Sequence, residues 1–349
     1  LCAVYLKALP QTRKGLERLK TLLTLHNLGY QGVFPGEQFD RTGLPPALYA
    51  PSGLEFYGSV NCLKGGIVFA DAVSTVSPTY AKEIATKEFG FGLEGVLADR
   101  VEGVPGIING IDTTVWNPET DPYLPARYSQ ADVSGKRECK RALQRELGLP
   151  VGDGPLLAVI GRLTPQKGFD LLDEIIPELM TLDVQLAILG TGDRRMEQRF
   201  LEAKAQYPDR IGVSVGFDEG LAHRIEAGAD MLVMPSRYEP CGLSQLYSLR
   251  YGTVPIVRRT GGLADTVVPY KPSTVRSRVA TGFHFLDPSP EALLSAIMLA
   301  FHVYRESGTW RSLQQAGMQT NVSWERAAKR YEQLYRTVTG TEEKKAGRS

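Results

Sequence analysis

Four cysteines and four histidines in 349 residues leave little material for disulfide or metal chemistry. Cys2, Cys62, Cys139 and Cys241 stand far apart and form no Cys-x-x-Cys pair, which argues against a disulfide framework and suits a reducing, cytoplasmic setting. His26, His223, His284 and His302 are equally isolated, and no two aspartates stand two apart as Asp-x-Asp. A metal site built by the protein is therefore not expected, and no cofactor is. No apolar run approaches the roughly 20 residues that span a bilayer, and the first nine residues lack a basic region and a cleavage site. The formal charge of +1 gives no reason to expect a nucleic acid or an anionic membrane as partner.

What remains is the composition of a soluble globular protein, 42% hydrophobic and 23% charged, in a chain long enough for about two domains of ordinary size. Short apolar runs read as strands at 22–25, 72–76, 156–160, 184–189, 211–215, 230–234 and 254–257. Helical patterns follow most of them, at 169–181, 194–206, 220–228 and 245–251. The alternation predicts an α/β protein with a mostly parallel sheet, densest between residues 155 and 270. Residues 117–154 turn to Pro, Asp, Ser and Gly around one basic helix at 136–147 and read as a bridge. We thus expect a first domain with its linker over 1–150 and a second over 151–320. Two helical stretches, 291–306 and 324–338, precede a polar tail at 340–349 expected to fray. The region before Asn117 holds only about two credible core strands, with long Gly/Pro-rich loops between Tyr30 and Asn61. That is thin for a complete α/β domain, and the chain is expected to be truncated at its amino terminus.

Chemistry concentrates in turns at the carboxyl ends of strands, where open α/β sheets bind ligands. In Pro235-Ser236-Arg237-Tyr238-Glu239-Pro240-Cys241-Gly242-Leu243-Ser244-Gln245 a carboxylate precedes a turn that opens into a helix. The N–H groups of Gly242, Leu243 and Ser244 are expected to face outward there, where backbone dipoles favour a phosphate. A Glu before such a turn is otherwise only a solvated loop charge. In Gly161-Arg162-Leu163-Thr164-Pro165-Gln166-Lys167-Gly168 two cations five residues apart suit one diphosphate, the guanidinium as a planar fork and the ammonium as a compact charge. Their bland alternative is solvation. Gly190 and Gly192, in Leu189-Gly190-Thr191-Gly192-Asp193, make a third such turn, weak as a motif but well placed. Arg259-Thr260-Gly261-Gly262 makes a fourth, whose glycines let backbone approach an anion or merely tighten a turn. His26, ending the first strand, either satisfies a structural need or donates to a sugar hydroxyl. Asn109, in Asn109-Gly110, is by default a turn former and otherwise projects an amide into a cleft.

Taken in order, these segments resemble the bacterial glycogen synthases and starch synthases, retaining glucosyltransferases that use a nucleotide-glucose donor. The matching stretches are 24–32, Ser77-Pro78-Thr79-Tyr80-Ala81, Asn109-Gly110-Ile111-Asp112 with Trp116, 162–168, 235–245 and 250–265. The resemblance implies a GT-B fold of two Rossmann-like domains, with a last helix over 321–339 crossing back to the first. It also implies transfer of glucose from ADP-glucose to the non-reducing end of an α-1,4-glucan such as glycogen or a maltooligosaccharide, with retention. Arg162 and Lys167 would hold the donor's diphosphate, helped by the amides of Gly242, Leu243 and Ser244 and by the Gly190–Gly192 turn. Glu239, with Cys241, would meet the glucosyl unit, and His26 and Asn109 sugar hydroxyls. Such catalysis rests on placement and electrostatics. Two departures stand out. Members carry Lys-x-Gly-Gly-Leu near the amino terminus, and Lys64-Gly65-Gly66-Ile67 is only a look-alike that matches an interior segment. The second Glu that related retaining transferases place eight residues after the first is here Tyr247. A transferase using UDP-glucose, and an inactive fragment that still binds nucleotide or glucan, are the alternatives.

Overall fold

The computed structural model describes residues 1–9, 15–16, 18–100 and 103–341, so most of the polar tail lies outside the described residues. The chain divides into two compact units, one of Leu1–Asn109 with Ala327–Ser349 and one of Gly110–Arg326. The division falls at residue 109, not near 150. The basic helix, Gly135–Glu146, packs on helix Glu219–Gly228 of the second unit, and buried charge staples it there. Lys140 Nζ lies 2.6 Å from Asp230 Oδ2, and Lys136 Nζ donates to the Ala227 carbonyl at 2.9 Å and to Thr253 Oγ1 at 2.6 Å. Burial lowers the Lys136 ammonium to about 8.

The first unit holds a parallel pair, β1 (Leu22–Leu25) and β5 (Ala72–Thr75), in register Leu22 to Ala72. Between them lies a small antiparallel sheet of β2 (Val33–Pro35), β4 (Ser59–Asn61) and β3 (Glu55–Phe56), in that spatial order. Sequence patterning assigned that stretch to loops. The look-alike Lys64 lies in helix Cys62–Phe69, where its Nζ donates to the Pro51 and Glu55 carbonyls, and burial lowers its pKa. Gly65 and Gly66 let that helix close on Val4, Leu54 and Leu23. Its place is structural. In the matching segment 77–81, Ser77 caps helix Pro78–Glu83, and the buried Tyr80 hydroxyl accepts the amide of Leu28, fixing the loop that follows β1.

The second unit is a six-stranded parallel sheet in the order β11-β10-β9-β6-β7-β8. Its strands are β6 (Leu156–Leu163), β7 (Gln185–Gly192), β8 (Ile211–Val215), β9 (Met231–Met234), β10 (Val254–Arg258) and β11 (Phe283–Phe285). Alternate residues feed two apolar layers, as a sheet buried on both faces requires. Leu157, Val159, Leu186, Ile188 and Val233 point to the layer formed with helices Phe169–Leu179 and Pro290–Tyr304. Leu156, Ala158, Ala187, Leu189 and Leu232 point to the opposite layer, with Leu143, Leu221 and Ile225. Each fully buried leucine, such as Leu172, contributes about 2–5 kcal/mol against an alanine truncation. Strand order reverses between β6 and β9, so the chain leaves those neighbours in opposite directions. A crevice opens at such a switch point, beyond the strands' carboxyl ends.

Strand β11 and helix Ser307–Gln319 had no counterpart in the periodicity. The first is three residues long, and the second carries Gly308, Gly317 and many polar residues, which blur its apolar face. Helix Trp324–Thr339 starts in the second unit and counts with the first from Ala327 onward.

Candidate functional site

The turns after β6 and β9 flank the switch point and bring Lys167 and Glu239 together. Strand β6 runs on through Leu163, so Arg162 sits at the strand's end, exposed and opposite Thr191, instead of in the loop. The chain then turns through a 3-10 segment, Pro165–Lys167, closed by Gly168 at φ 65°. A side chain at 168 would place its Cβ 2.1 Å from the Pro235 carbonyl, so glycine is required both by conformation and by close approach. Lys167 Nζ lies 2.6 Å from Glu239 Oε2, which also accepts the Ser236 hydroxyl at 2.9 Å. The Glu239 side chain is 7% exposed and that of Lys167 is 19%. The pair is thus shielded on the carboxylate side and open to solvent through the ammonium.

Beyond Glu239 the chain passes buried Cys241 and Gly242, whose φ of 73° favours glycine, into helix Ser244–Tyr251. Among the described residues no side chain caps this helix, so its first-turn dipole has no side-chain partner there, beside the Lys167–Glu239 pair. Leu243 is exposed and Ser244 half-buried. In the turn after β10 the Gly262 N–H is already engaged within the chain. The Gly262 N–H donates to the Glu239 carbonyl at 2.9 Å, and a Cβ on Gly262 would lie 2.1 Å from the Cys241 carbonyl. Helix Gly261–Thr266 therefore buttresses the Glu239–Cys241 turn from behind.

Gly190 and Gly192 have a packing function in β7. A Cβ at 190 would lie 2.2 Å from the Gly161 carbonyl and one at 192 2.6 Å from the Leu163 carbonyl, so both glycines permit the contact with β6. The Gly192 N–H and the Thr191 hydroxyl donate to Glu197 Oε1 at 2.9 and 2.7 Å. These bonds hold the Glu197 carboxyl below its ordinary range. The turn already accommodates a carboxylate of its own helix.

His26 and Asn109 belong to the first unit. His26 follows β1 directly and is exposed; Asn109 is half-buried, and its Oδ1 is buried with no hydrogen-bond partner among the described residues.

Sequence reasoning passed over three features of the second unit. Ser236 lay inside the quoted run, but a serine gives no spacing signal. Phe217, two residues past β8 in a Gly-Phe-Asp turn, is 90% exposed; an aromatic in a turn at the sheet's carboxyl edge is a legible cue. The third is a buried cluster under helix Ser244–Tyr251. Trp116 stacks between His223 and Tyr247 with ring centroids 3.7 Å apart on each side, while Asp121 holds His223 Nδ1 at 2.6 Å and accepts the Tyr251 hydroxyl. Burial raises the Tyr251 hydroxyl well above its ordinary range. His223, isolated in sequence, anchors this helix from below.

The doubly wound parallel sheet of the second unit, with its switch point between β6 and β9, is of the kind found in GT-B glycosyltransferases. Two family descriptions match, "Starch synthase catalytic domain" over residues 1–99 and "Glycosyl transferases group 1" over residues 140–310. A glycogen synthase of Anaeromyxobacter sp. is 52% identical over 325 residues, covering 93% of this chain and 68% of the relative. Glycogen synthase 2 of Nitrosococcus oceani is 50% identical over 326 residues, with coverage of 93% and 66%. The catalytic domain of starch synthase IV from Arabidopsis thaliana, solved bound to ADP and acarbose, superposes with a TM-score of 0.91 at 36% identity, covering 97% of this chain and 70% of that one. The chain belongs to the glycogen synthase family and has its GT-B fold, and it spans about two thirds of the length of the curated relatives it matches. Among the described residues, no helix is long and apolar enough to cross a membrane.

Proposed function

We propose that this site transfers glucose from ADP-glucose to the non-reducing end of an α-1,4-glucan with retention of configuration, in the cytoplasm. The observation that carries the reading is the Lys167–Glu239 pair, 2.6 Å apart beside an uncapped helix start at the sheet's switch point. In this reading the bond between the glucosyl C1 and the diphosphate oxygen breaks as charge grows on the leaving diphosphate, the acceptor's terminal 4-hydroxyl oxygen bonds to C1, and its proton leaves with the diphosphate. Lys167 and Arg162 stabilise that charge, and the first-turn amides at Gly242, Leu243 and Ser244 add their dipoles. Glu239, held by Ser236, faces the glucosyl unit with Cys241 and stabilises its oxocarbenium character. The roles of His26 and Asn109 toward sugar hydroxyls rest on the sequence match of their segments, and those of Gly190 and Gly192 on their place beside Arg162. The exposed ring of Phe217 offers a stacking face for the base. The choice of ADP over UDP draws on the structural relative bound to ADP.

The test is incorporation of labelled glucose into glycogen from ADP-glucose and, separately, from UDP-glucose. Transfer from ADP-glucose at least tenfold faster is expected. Equal or faster transfer from UDP-glucose would overturn the donor assignment, and transfer from neither the reading as a whole.

A further inference from the structure

The loops that carry Lys167 and Glu239 are joined at more places than that one pair. The Arg237 N–H donates to the Gln166 carbonyl at 2.8 Å, and Gln166 Nε2 returns a bond to the Tyr238 carbonyl at 3.2 Å. The Arg237 guanidinium then reaches over the first loop. Nη1 donates to the Pro165 carbonyl at 3.1 Å, and Nη1 and Nη2 grip Asp170 Oδ1 and Oδ2 at 2.6 Å each. Asp170 lies in the first turn of helix Phe169–Leu179, and the Arg237 hydrogen bonds hold its carboxyl below the usual range. Arg258 fixes the other side of the same residue by donating to the Arg237 carbonyl.

We propose that Arg237 is a positioning residue, whose fork on Asp170 sets the register of the two loops and so the placement of Lys167 and Glu239 against the donor. Two parallel bonds to one carboxylate fix orientation as well as distance, which a lysine at 237 cannot do. Both partners are 40% exposed, and such an ion pair contributes only about 0–1 kcal/mol to stability. Its consequence is geometric. A misplacement of ~1 Å between reacting groups costs roughly 100-fold in rate. The inference rests on the reading of Lys167 and Glu239 as the groups that act on the donor.

The test measures turnover with ADP-glucose and glycogen, calorimetric affinity for ADP, and thermal midpoint. The variants are Arg237→Ala, Arg237→Lys, Asp170→Ala and the Arg237→Ala/Asp170→Ala double, with Lys167→Ala and Glu239→Ala alongside. Arg237→Ala is expected to lower kcat by about 30–100-fold and weaken ADP binding severalfold, with the KM for glycogen unchanged and the midpoint within about 3 °C of the parent. Arg237→Lys should recover less than half of the lost rate, and the double should be no worse than the more damaged single. Parental turnover and ADP affinity in Arg237→Ala, while Lys167→Ala and Glu239→Ala are impaired, would overturn the positioning role and leave the catalytic reading standing. Multiplying losses in the double would overturn it too. If Lys167→Ala and Glu239→Ala keep parental turnover, the catalytic reading fails and the positioning role falls with it.

Discussion

Removing the charge at Lys167 should damage stability and turnover by separate routes, and the Lys167→Met, Glu239→Gln cycle separates them. Glu239 is 7% exposed and, among the described residues, has two side-chain partners, the Lys167 ammonium at 2.6 Å and the Ser236 hydroxyl at 2.9 Å. Taking away the ammonium leaves a mostly buried carboxylate with one neutral donor. Breaking a buried pair in this way costs about 3–5 kcal/mol when both groups are enclosed. Lys167 is 19% exposed, so water can enter the vacated side, and we place the cost at about 2–3 kcal/mol. Glu239→Gln leaves a neutral amide that still accepts from Ser236 and a lysine free to turn toward solvent, at about 1 kcal/mol. The double variant buries no charge and should also lose only about 1 kcal/mol, which makes the coupling about 2–3 kcal/mol.

Turnover should behave otherwise. Lys167→Met removes a cation from the leaving group, a loss of about 100–1,000-fold, and the second substitution cannot restore it. The double variant should therefore regain stability without regaining rate. The assay is urea or thermal denaturation beside labelled-glucose incorporation, with about 2–4 °C expected per kcal/mol. Stability losses that add within about 0.5 kcal/mol would show that the two groups are not paired in the free protein. A double variant as active as Glu239→Gln alone would show that Lys167 does not act on the leaving group.

Three further outcomes follow from the second unit. Burial pushes the Glu226 carboxyl up to about 8, so the folded state holds a proton that the unfolded state releases near 4.5, and this group's contribution falls as pH rises between those values. Glu226→Gln should raise the thermal midpoint at pH 8 by several degrees and leave it nearly unchanged at pH 4; equal shifts at both would refute the assignment. Trp116→Ala, which empties the stack between His223 and Tyr247, should cost about 2–4 kcal/mol in denaturation and weaken ADP binding through the helix that Tyr247 sits on. Gly168→Ala sets a Cβ 2.1 Å from the Pro235 carbonyl at a left-handed φ, and should cost more than the roughly 1 kcal/mol of conformational strain alone, with a matching loss of rate; a neutral result would mean that the two loops are not in contact there.

The fold of the second unit was legible because its strands are short apolar runs with amphipathic helices between them, and helix 194–206 was placed to the residue. The first unit's small sheet was not, since strands of two and three residues among glycines and prolines carry no periodic signal. Turn chemistry at strand ends pointed to Lys167 and Glu239 separately. Their contact, between residues 72 apart in sequence, depends on strand order, which spacing does not encode. The same limit hid Asp121 from His223, 102 residues away. Gly190, Gly192 and Gly262 show a different limit. A glycine that lets a ligand approach and one that lets a neighbouring strand or turn approach look alike in sequence, and here the structure fills the space with the Gly161, Leu163 and Cys241 carbonyls.

That distinction bears on how the site can work. A site that acts by electrostatic stabilisation gains from cations and dipoles that are already oriented and need not reorganise as charge develops. Three braces from other parts of the chain surround the Lys167–Glu239 pair: Gly262 supports the carbonyl of Glu239, Arg237 ties its loop to that of Lys167, and Trp116 with Asp121 holds helix Ser244–Tyr251. Gly190, Gly192 and Gly262 also let strands and turns close behind the charged groups. On this reasoning, substitutions in the bracing residues should lower kcat through misplacement, while substitutions at Lys167 or Arg162 lower it through lost charge. An added primary amine such as methylammonium should partly rescue a Lys167→Gly variant and leave Arg237→Ala unchanged; equal rescue of both would deny the difference.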